Sequence, residues 1–236
     1  MDIRIKNEER IYPTIRKFQE LIGTKQFIDD KTHDKVVELI GERIVLNPLQ
    51  PNLDFGVRKT PQKYVQKELE WYESHSLCIK DMEDYPKTWD KVASQCGFVN
   101  SNYGFLVYDI NNGAQFTHVK AELLKHNYSR RAIIIYTNPG MHRQYKEFGK
   151  NDFVCTNTHQ FFIRDNQLVS IVNTRSTDFI FGFFSDFPWY SYVHLDLHKK
   201  LVEKYADLKV GELIFVANSL HVYEQYFDTI MKIGVI

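Results

Sequence analysis

Residues 152 to 175 read DFVCTNTHQFFIRDNQLVSIVNTR, and two strand-like runs within them flank a short polar turn. The runs HQFFIRD and QLVSIVNTR are rich in β-branched and aromatic residues, which favour strands. The Asp165-Asn166 pair between them is typical of a two-residue hairpin turn. This stretch therefore predicts an antiparallel β-hairpin, and a single cysteine, Cys155, lies just ahead of it.

The rest of the chain mixes helical and strand patterns without a regular βαβ alternation. Apolar residues at helical spacing predict helices, and apolar runs bounded by turns predict strands. The predicted elements are helices over residues 64–77, 114–127 and 189–208, of which the last is the longest, and buried strands over residues 131–137 and 211–223. No repeat, low-complexity segment or Gly/Ser linker interrupts the pattern. We therefore expect an α+β fold in a single domain over residues 1–236.

The composition is that of a neutral chain with enough apolar residues for a full core. It has 236 residues, 43% of them hydrophobic, and its 30 basic residues balance its 30 acidic ones. The charges form no long run of one sign, which disfavours a nucleic-acid-binding tail and a membrane-surface patch. The N-terminus is charged and no window holds eighteen apolar residues, so a signal peptide and a transmembrane helix are disfavoured. We expect a cytoplasmic protein that binds a small ligand.

Three cysteines, Cys78, Cys96 and Cys155, are widely spaced and form no CxxC pair. This pattern disfavours a disulfide framework and a zinc site, so no metal is expected. An isolated cysteine is usually a small buried residue. It can instead be a nucleophile, provided that nearby positive charge stabilises the thiolate. The sequence around Cys155 leaves both interpretations open.

Two arginine-serine motifs could supply that positive charge. Ser129-Arg130-Arg131 directly precedes a predicted strand, and Arg175-Ser176 directly follows another. Arginines at strand ends can be solvated caps. Arginine beside serine also suits a phosphate, because the guanidinium offers a planar pair of donors and the hydroxyl adds a third.

Several stretches together resemble the thymidylate synthase superfamily, and within it the deoxycytidylate hydroxymethylases of T-even bacteriophages. Cys155 with Gln160 five residues later is one of these features. The others are DKT (30–32), KELEWYESHSL (67–77), NSNYG (100–104), SRRAIIIYTNPGM (129–141), NTRSTDFIFGFFSDFPW (173–189) and SLHVY (219–223). They follow the order of the family and span most of the chain.

The resemblance implies a thymidylate-synthase-like α+β fold that forms a homodimer by packing two sheets back to back. It also implies a reaction between a pyrimidine nucleoside monophosphate and 5,10-methylenetetrahydrofolate as co-substrate. By position, Cys155 matches the nucleophile that adds to C6 of the base. Glu68 matches a glutamate that manages proton transfers through water, although a lone helical glutamate is ordinarily a solvated charge. Tyr103 matches a tyrosine that helps the C5 proton leave.

The resemblance also implies a set of binding residues. The phosphate would be bound by Lys31, Arg175 and Ser176 together with Arg130 and Arg131 from the other subunit, so neither site would be complete in a monomer. The remaining implied contacts are Gln160 to the nucleotide, His221 and Tyr223 to the sugar 3′-hydroxyl, and Asp178 and Trp89 to the folate.

Asp186 falls where thymidylate synthases have an asparagine that recognises uracil. Cytosine presents the opposite hydrogen-bonding pattern at N3 and C4, and a carboxyl group that shares a proton with N3 complements it. The resemblance therefore implies dCMP as substrate and 5-hydroxymethyl-dCMP as product. The alternatives are a dCMP methyltransferase or a dUMP or CMP hydroxymethylase on the same scaffold, and more remotely a non-catalytic dimer that binds nucleotides or RNA.

Overall fold

The computed structural model describes residues 5–31 and 34–234. Thr32, part of the DKT stretch, lies outside the described residues. The helices are α1 (Asn7–Gly23), α2 (Gln62–Glu73), α3 (Tyr103–Tyr108), α4 (Gln115–Lys125), α5 (Met141–Gln144), α6 (Gly182–Leu201) and α7 (Phe227–Lys232). The strands are β1 (Ile28–Asp29), β2 (Lys35–Leu46), β3 (Ile133–Ile135), β4 (Thr156–Arg164), β5 (Gln167–Thr174), β6 (Thr177–Asp178) and β7 (Lys209–Tyr223).

The strands form one mixed sheet in the order β1-β2-β7-β5-β4-β3, with β6 paired to β7. Most neighbours are antiparallel, whereas β5 and β6 run parallel to β7. The α+β class expected from the sequence is confirmed. Within the described part of the chain, none of the helices is long and apolar enough to cross a membrane.

The predicted hairpin is formed by β4 and β5, with Arg164 opposite Gln167. Asp165 and Asn166 both have positive φ, 47° and 55°. Short polar side chains tolerate this conformation, and it matches the twist of the adjoining strands. The local turn chemistry therefore sets the register of the hairpin.

One face of the sheet packs against α1 and α6. Ile11, Ile15 and Phe18 lie at helical spacing on α1 and are fully buried. Helix α6 is buried on most of its surface, with an aromatic cluster in its first turns. This helix connects the parallel strands β6 and β7 and places its N-terminal half beside Cys155.

Two of the predicted elements, one helix and one strand, have different bounds in the structure. The longest helix begins at Gly182 rather than at residue 189 and ends at Leu201 rather than at residue 208. Pro188, which disfavours a helix interior, lies inside it because burial of Phe183 and Phe187 outweighs the local cost. The strand predicted over residues 131–137 is limited to Ile133–Ile135.

The opposite face of the sheet carries half-buried apolar side chains. Val45, Ile214 and Ile171 lie opposite one another on β2, β7 and β5, and the row continues through Gln160 to Ile133. We call this surface the outer face. Along β4, β5 and β7, the side chains of the outer face alternate with those that point into the core.

Candidate active site

Three adjoining cavities meet at Cys155, which directly precedes β4. Their volumes are about 580, 240 and 410 Å³, and Cys155 lines all three. We call them the first, second and third cavity in this order. Asp186 lines the first and second, and Arg175 and Lys31 line the first and third. The thiol of Cys155 can therefore be reached by a ligand in any of the three cavities.

The guanidinium of Arg175 is fixed next to the Cys155 thiol. It donates to the carbonyl oxygens of Phe153 and Val154 at 2.6 and 3.0 Å, and its Nη2 lies 3.4 Å from Sγ. It also stacks over the ring of Phe153 at 4.9 Å. Burial raises the pKa of the Cys155 thiol, while the positive charge of Arg175 lowers it. The arginine thus limits the cost of forming a thiolate at this partly buried sulfur.

The first cavity combines anion-binding and polar groups. Its lining includes Arg175, Ser176, Asp178, His221 and Tyr223. His221 and Tyr223 are two residues apart on β7, so they share a face, and their rings meet edge to face at 5.2 Å. One oxygen of Asp178 accepts hydrogen bonds from the amides of Ile180 and Phe181. These groups can hold a phosphate and the hydroxyl of a sugar.

The second cavity contains a buried carboxyl group, Glu68 on α2, which is 5% exposed. The hydroxyl of Tyr64 donates to it, and the indole nitrogen of Trp89 donates to Tyr64 at 3.2 Å. Burial, and then the charge of Asp186, raise the pKa of Glu68 to about 8. Glu68 can therefore hold a proton near neutral pH and release it, as a general acid or base must.

Asp186 lies in the second turn of α6, at the wall between the first and second cavities. It is half-buried, and exclusion of water by the surrounding protein raises its pKa to about 7. Without the family resemblance, the sequence would have favoured an exposed loop position near Pro188. The carboxyl group is instead held on a buried helix and directed at the two cavities.

A close approach of α2 and α3 brings Tyr103 to the same cavity as Glu68. A Cβ atom on Gly104 would lie 1.7 Å from the carbonyl oxygen of Tyr72, so only glycine permits this packing. The rings of Tyr72 and Tyr103 stack with centroids 5.5 Å apart. The two helices thereby bring Glu68 and Tyr103, which are 35 positions apart in the sequence, to the lining of the second cavity.

Three predicted site residues lie elsewhere in the single chain. The side chain of Arg131 is 80% exposed and its Nε contacts Glu122 at 3.3 Å. Arg130 is exposed, and the amide of Gln160 donates to its carbonyl oxygen from the outer face. Contact of these residues with a nucleotide stays a prediction. Across residues 5–31 and 34–234, no three His, Cys, Asp or Glu side chains cluster as metal ligands would.

Sequence reasoning missed several polar residues of the site. Tyr64 lies four residues before Glu68, and Tyr190 lies four residues after Asp186, so helical spacing could have placed each pair on one face. The buried Asp152 also escaped notice. It lines the second and third cavities and accepts hydrogen bonds from the amides of Asn100 and Ser101. These two hydrogen bonds fix the start of the NSNYG segment (100–104), which contains Tyr103.

Residues 18–233 match the family model described as thymidylate synthase. The chain is 42% identical over 206 residues to the deoxycytidylate 5-hydroxymethyltransferase of Enterobacteria phage T4, which covers 86% of this chain and 82% of that protein. The protein of the same name from Enterobacteria phage T6 has the same identity and coverage. A thymidylate synthase of Francisella philomiragia is 25% identical over 94% of this chain and 82% of its own length. The chain therefore belongs to the thymidylate synthase family.

Proposed function

We propose that the protein is a deoxycytidylate 5-hydroxymethyltransferase. It would convert dCMP, 5,10-methylenetetrahydrofolate and water to 5-hydroxymethyl-dCMP and tetrahydrofolate. The observation that carries the proposal is the position of Asp186 beside Cys155, with a pKa raised to about 7. A carboxyl group that still holds a proton near neutral pH can share it with N3 of cytosine and accept from the N4 amino group. The names of the phage relatives support the same substrate.

The nucleotide would occupy the first cavity. Its phosphate would be bound by Arg175, Ser176 and Lys31, since guanidinium, hydroxyl and ammonium groups all donate to phosphate oxygens. The 3′-hydroxyl of the sugar would contact His221 and Tyr223. Cytosine would then lie between Cys155 and Asp186, the two groups that its C6 and N3 require.

Cys155 would act as the nucleophile. C5 of a pyrimidine reacts poorly with electrophiles until a thiolate adds to C6 and turns the ring into an enamine. A proton shared between Asp186 and N3 would make the ring a better electron sink for that addition. C5 would then bond to the one-carbon unit. The adduct would next lose its C5 proton and release tetrahydrofolate, which leaves an exocyclic methylene on C5. Water would add to that methylene, and the thiol would then leave C6.

The second cavity suits the pterin of the folate and the water that reacts. Trp89 offers an aromatic surface in this cavity, whereas Asp178, the other residue implied for the folate, lines the first cavity. The folate supplies the one-carbon unit when bound. Glu68, held by Tyr64 and with a pKa of about 8, would orient water and exchange protons with it. A dCMP methyltransferase would instead have to exclude this water.

We also propose that two chains pair through the outer face. The half-buried row of Val45, Ile214 and Ile171 on the outer face is the kind of apolar surface that oligomers cover. The exposed Arg130 and Arg131 lie shortly before β3, which is at the edge of this sheet. From there they would reach the phosphate site of the other subunit.

Replacement of Cys155 by serine tests the covalent chemistry. The Cys155→Ser variant should lose turnover and the folate-dependent release of tritium from [5-³H]dCMP, because an alcohol does not add to C6. It should keep nucleotide binding within about tenfold. The exposed Cys96 provides the matched control, and Cys96→Ser should behave as wild type. Substantial tritium release by Cys155→Ser would exclude the proposed adduct.

A further inference from the structure

A row of three hydrogen-bonded hydroxyl groups lies behind the second cavity. The hydroxyl of Thr156 donates to the phenol oxygen of Tyr103 at 3.0 Å, and the same Thr156 oxygen lies 2.7 Å from the hydroxyl of Tyr190. Thr156 and Tyr190 are fully buried, and Tyr103 is 5% exposed. Tyr103 is the member of the row that lines the cavity.

The direction of these bonds follows from the number of hydrogens. Each hydroxyl has one hydrogen to donate, and Thr156 uses its hydrogen for Tyr103. Tyr190 must therefore donate to Thr156. The oxygen of Tyr103 then accepts one hydrogen bond from the core, while its own hydrogen and its second lone pair are left for the cavity.

The row is built from the segments that carry the proposed reacting groups. Thr156 directly follows Cys155, Tyr190 lies one helical turn after Asp186 on α6, and Tyr103 begins α3. The orientation of the Tyr103 hydroxyl is thus tied to the positions of the nucleophile and of the carboxyl group that recognises the base.

We propose that Thr156 and Tyr190 are positioning residues, which orient the Tyr103 hydroxyl for removal of the proton from C5 of the pyrimidine. The inference rests on the proposed function. It assigns a role in the reaction to two buried residues that need not touch the substrate.

The proton transfer can be written without a net change of charge. The C5–H bond breaks and its proton passes, directly or through one water, to the free lone pair of Tyr103. The phenol hydrogen passes to the nitrogen that leaves the one-carbon unit. The electron pair of the C5–H bond becomes the second bond from C5 to that carbon, and the carbon–nitrogen bond breaks with its electrons on nitrogen.

A neutral transfer of this kind suits the surroundings of Tyr103. Burial, and then the charges of Asp186 and Cys155, raise the pKa of Tyr103 well above its ordinary value, so a free phenolate is disfavoured. The hydrogen bond from Thr156 acts in the opposite direction. A phenol held in one orientation can accept one proton as it releases another, whereas a freely rotating one often presents the wrong side.

Four variants separate this role from a structural one. Tyr190→Phe and Thr156→Val remove a hydroxyl from the row with little change of shape, and Thr156→Ser keeps the hydroxyl. The matched control is Tyr136→Phe. Tyr136 is a buried phenol whose ring lies 5.1 Å from that of Tyr103, but its hydroxyl accepts from the indole of Trp189 at 3.2 Å.

We expect Tyr190→Phe and Thr156→Val to lower kcat for dCMP about 10- to 100-fold. Their KM for dCMP should change little, and the tritium isotope effect on release from [5-³H]dCMP should increase, because proton removal becomes slower than the other steps. Thr156→Ser should restore both values, and Tyr136→Phe should keep them.

Wild-type kcat and isotope effect in Tyr190→Phe would overturn this inference alone. So would an equal loss of kcat in Tyr136→Phe, since the row would then have no special role. If the wild-type protein released no tritium from dCMP with methylenetetrahydrofolate, the proposed function would be wrong, and this inference with it.

Discussion

Asp186 has the most specific chemistry of the side chains around the cavities. Uracil offers an acceptor at O4 and a donor at N3, whereas cytosine offers a donor at N4 and an acceptor at N3. A protonated carboxyl group complements cytosine, and an amide complements uracil. The raised pKa of about 7 keeps a substantial share of Asp186 protonated at neutral pH. The choice between cytosine and uracil would thus depend on the side chain of Asp186.

Asp186→Asn should lose turnover of dCMP and gain measurable turnover of dUMP. Each mispaired polar group in a site that excludes water costs about 1–3 kcal/mol, so reversal of two such groups should shift the preference by about 2–6 kcal/mol. At 1.4 kcal/mol per decade, the ratio of kcat/KM for the two nucleotides should change at least about thirtyfold. A ratio within about threefold of the wild type would show that Asp186 does not read the base.

The proton on Asp186 should also determine how kcat/KM for dCMP depends on pH. Asp186 carries its proton below its pKa of about 7 and loses it above, so wild-type kcat/KM for dCMP should fall as the pH rises through this value. Asp186→Asn with dUMP serves as the control, because an amide does not titrate there. A decline near pH 7 in that variant as well would assign the titration to another group.

Among the helices and strands, those with strong local patterns were predictable from the sequence. The β4–β5 hairpin follows from its Asp165-Asn166 turn, and α2 and α4 follow from helical spacing. Helix α1 and strand β2 were missed. Strand β2 mixes charged residues such as Glu42 and Arg43 with its apolar ones, so its pairing with β7, rather than its pattern, makes it a strand.

The arrangement of the site depended on tertiary contacts that no local pattern reveals. A glutamate in the middle of α2 is ordinarily solvated, and Glu68 is buried because α3 approaches α2 at Gly104. The roles of Cys155, Tyr103 and the binding residues were inferred from resemblance to the family. Apart from Arg130, Arg131 and Gln160, these residues line adjoining cavities, and this arrangement could be seen once the fold was known.

Strand β4 and helix α6 also share a buried pair of histidines, His159 and His194. Both are fully buried. Burial lowers the pKa of His159 well below its ordinary value and that of His194 to about 3. As the pH falls below about 6.5, these two histidines bind protons in the unfolded chain but stay neutral in the folded chain. They therefore make the folded protein less stable in acid.

His159→Leu should therefore reduce the acid sensitivity of folding. Between about pH 6 and pH 4, the free energy of unfolding should fall less steeply than in the wild type, by up to about 1.4 kcal/mol per pH unit. Urea unfolding at several pH values measures this slope. The exposed His118 is the control, and His118→Leu should keep the wild-type slope. An unchanged slope in His159→Leu would mean that His159 is protonated equally in both states.

The exposed position of Arg131 has a consequence for the proposed dimer. If Arg131 completes the phosphate site of the other subunit, Arg131→Ala and Cys155→Ser should each be nearly inactive. A mixture that exchanges subunits should recover activity, because each heterodimer then has one site with both residues intact. Random exchange would restore up to about a quarter of the wild-type activity. No recovery despite demonstrated exchange would contradict a shared site.

The product formed from dCMP and 5,10-methylenetetrahydrofolate tests the proposed activity most directly. Mass spectrometry of the nucleotide, together with the oxidation state of the folate, distinguishes addition of water from transfer of hydride. The proposed function predicts 5-hydroxymethyl-dCMP and tetrahydrofolate in equal amounts. Formation of 5-methyl-dCMP with dihydrofolate, or binding of dCMP without any product, would contradict it.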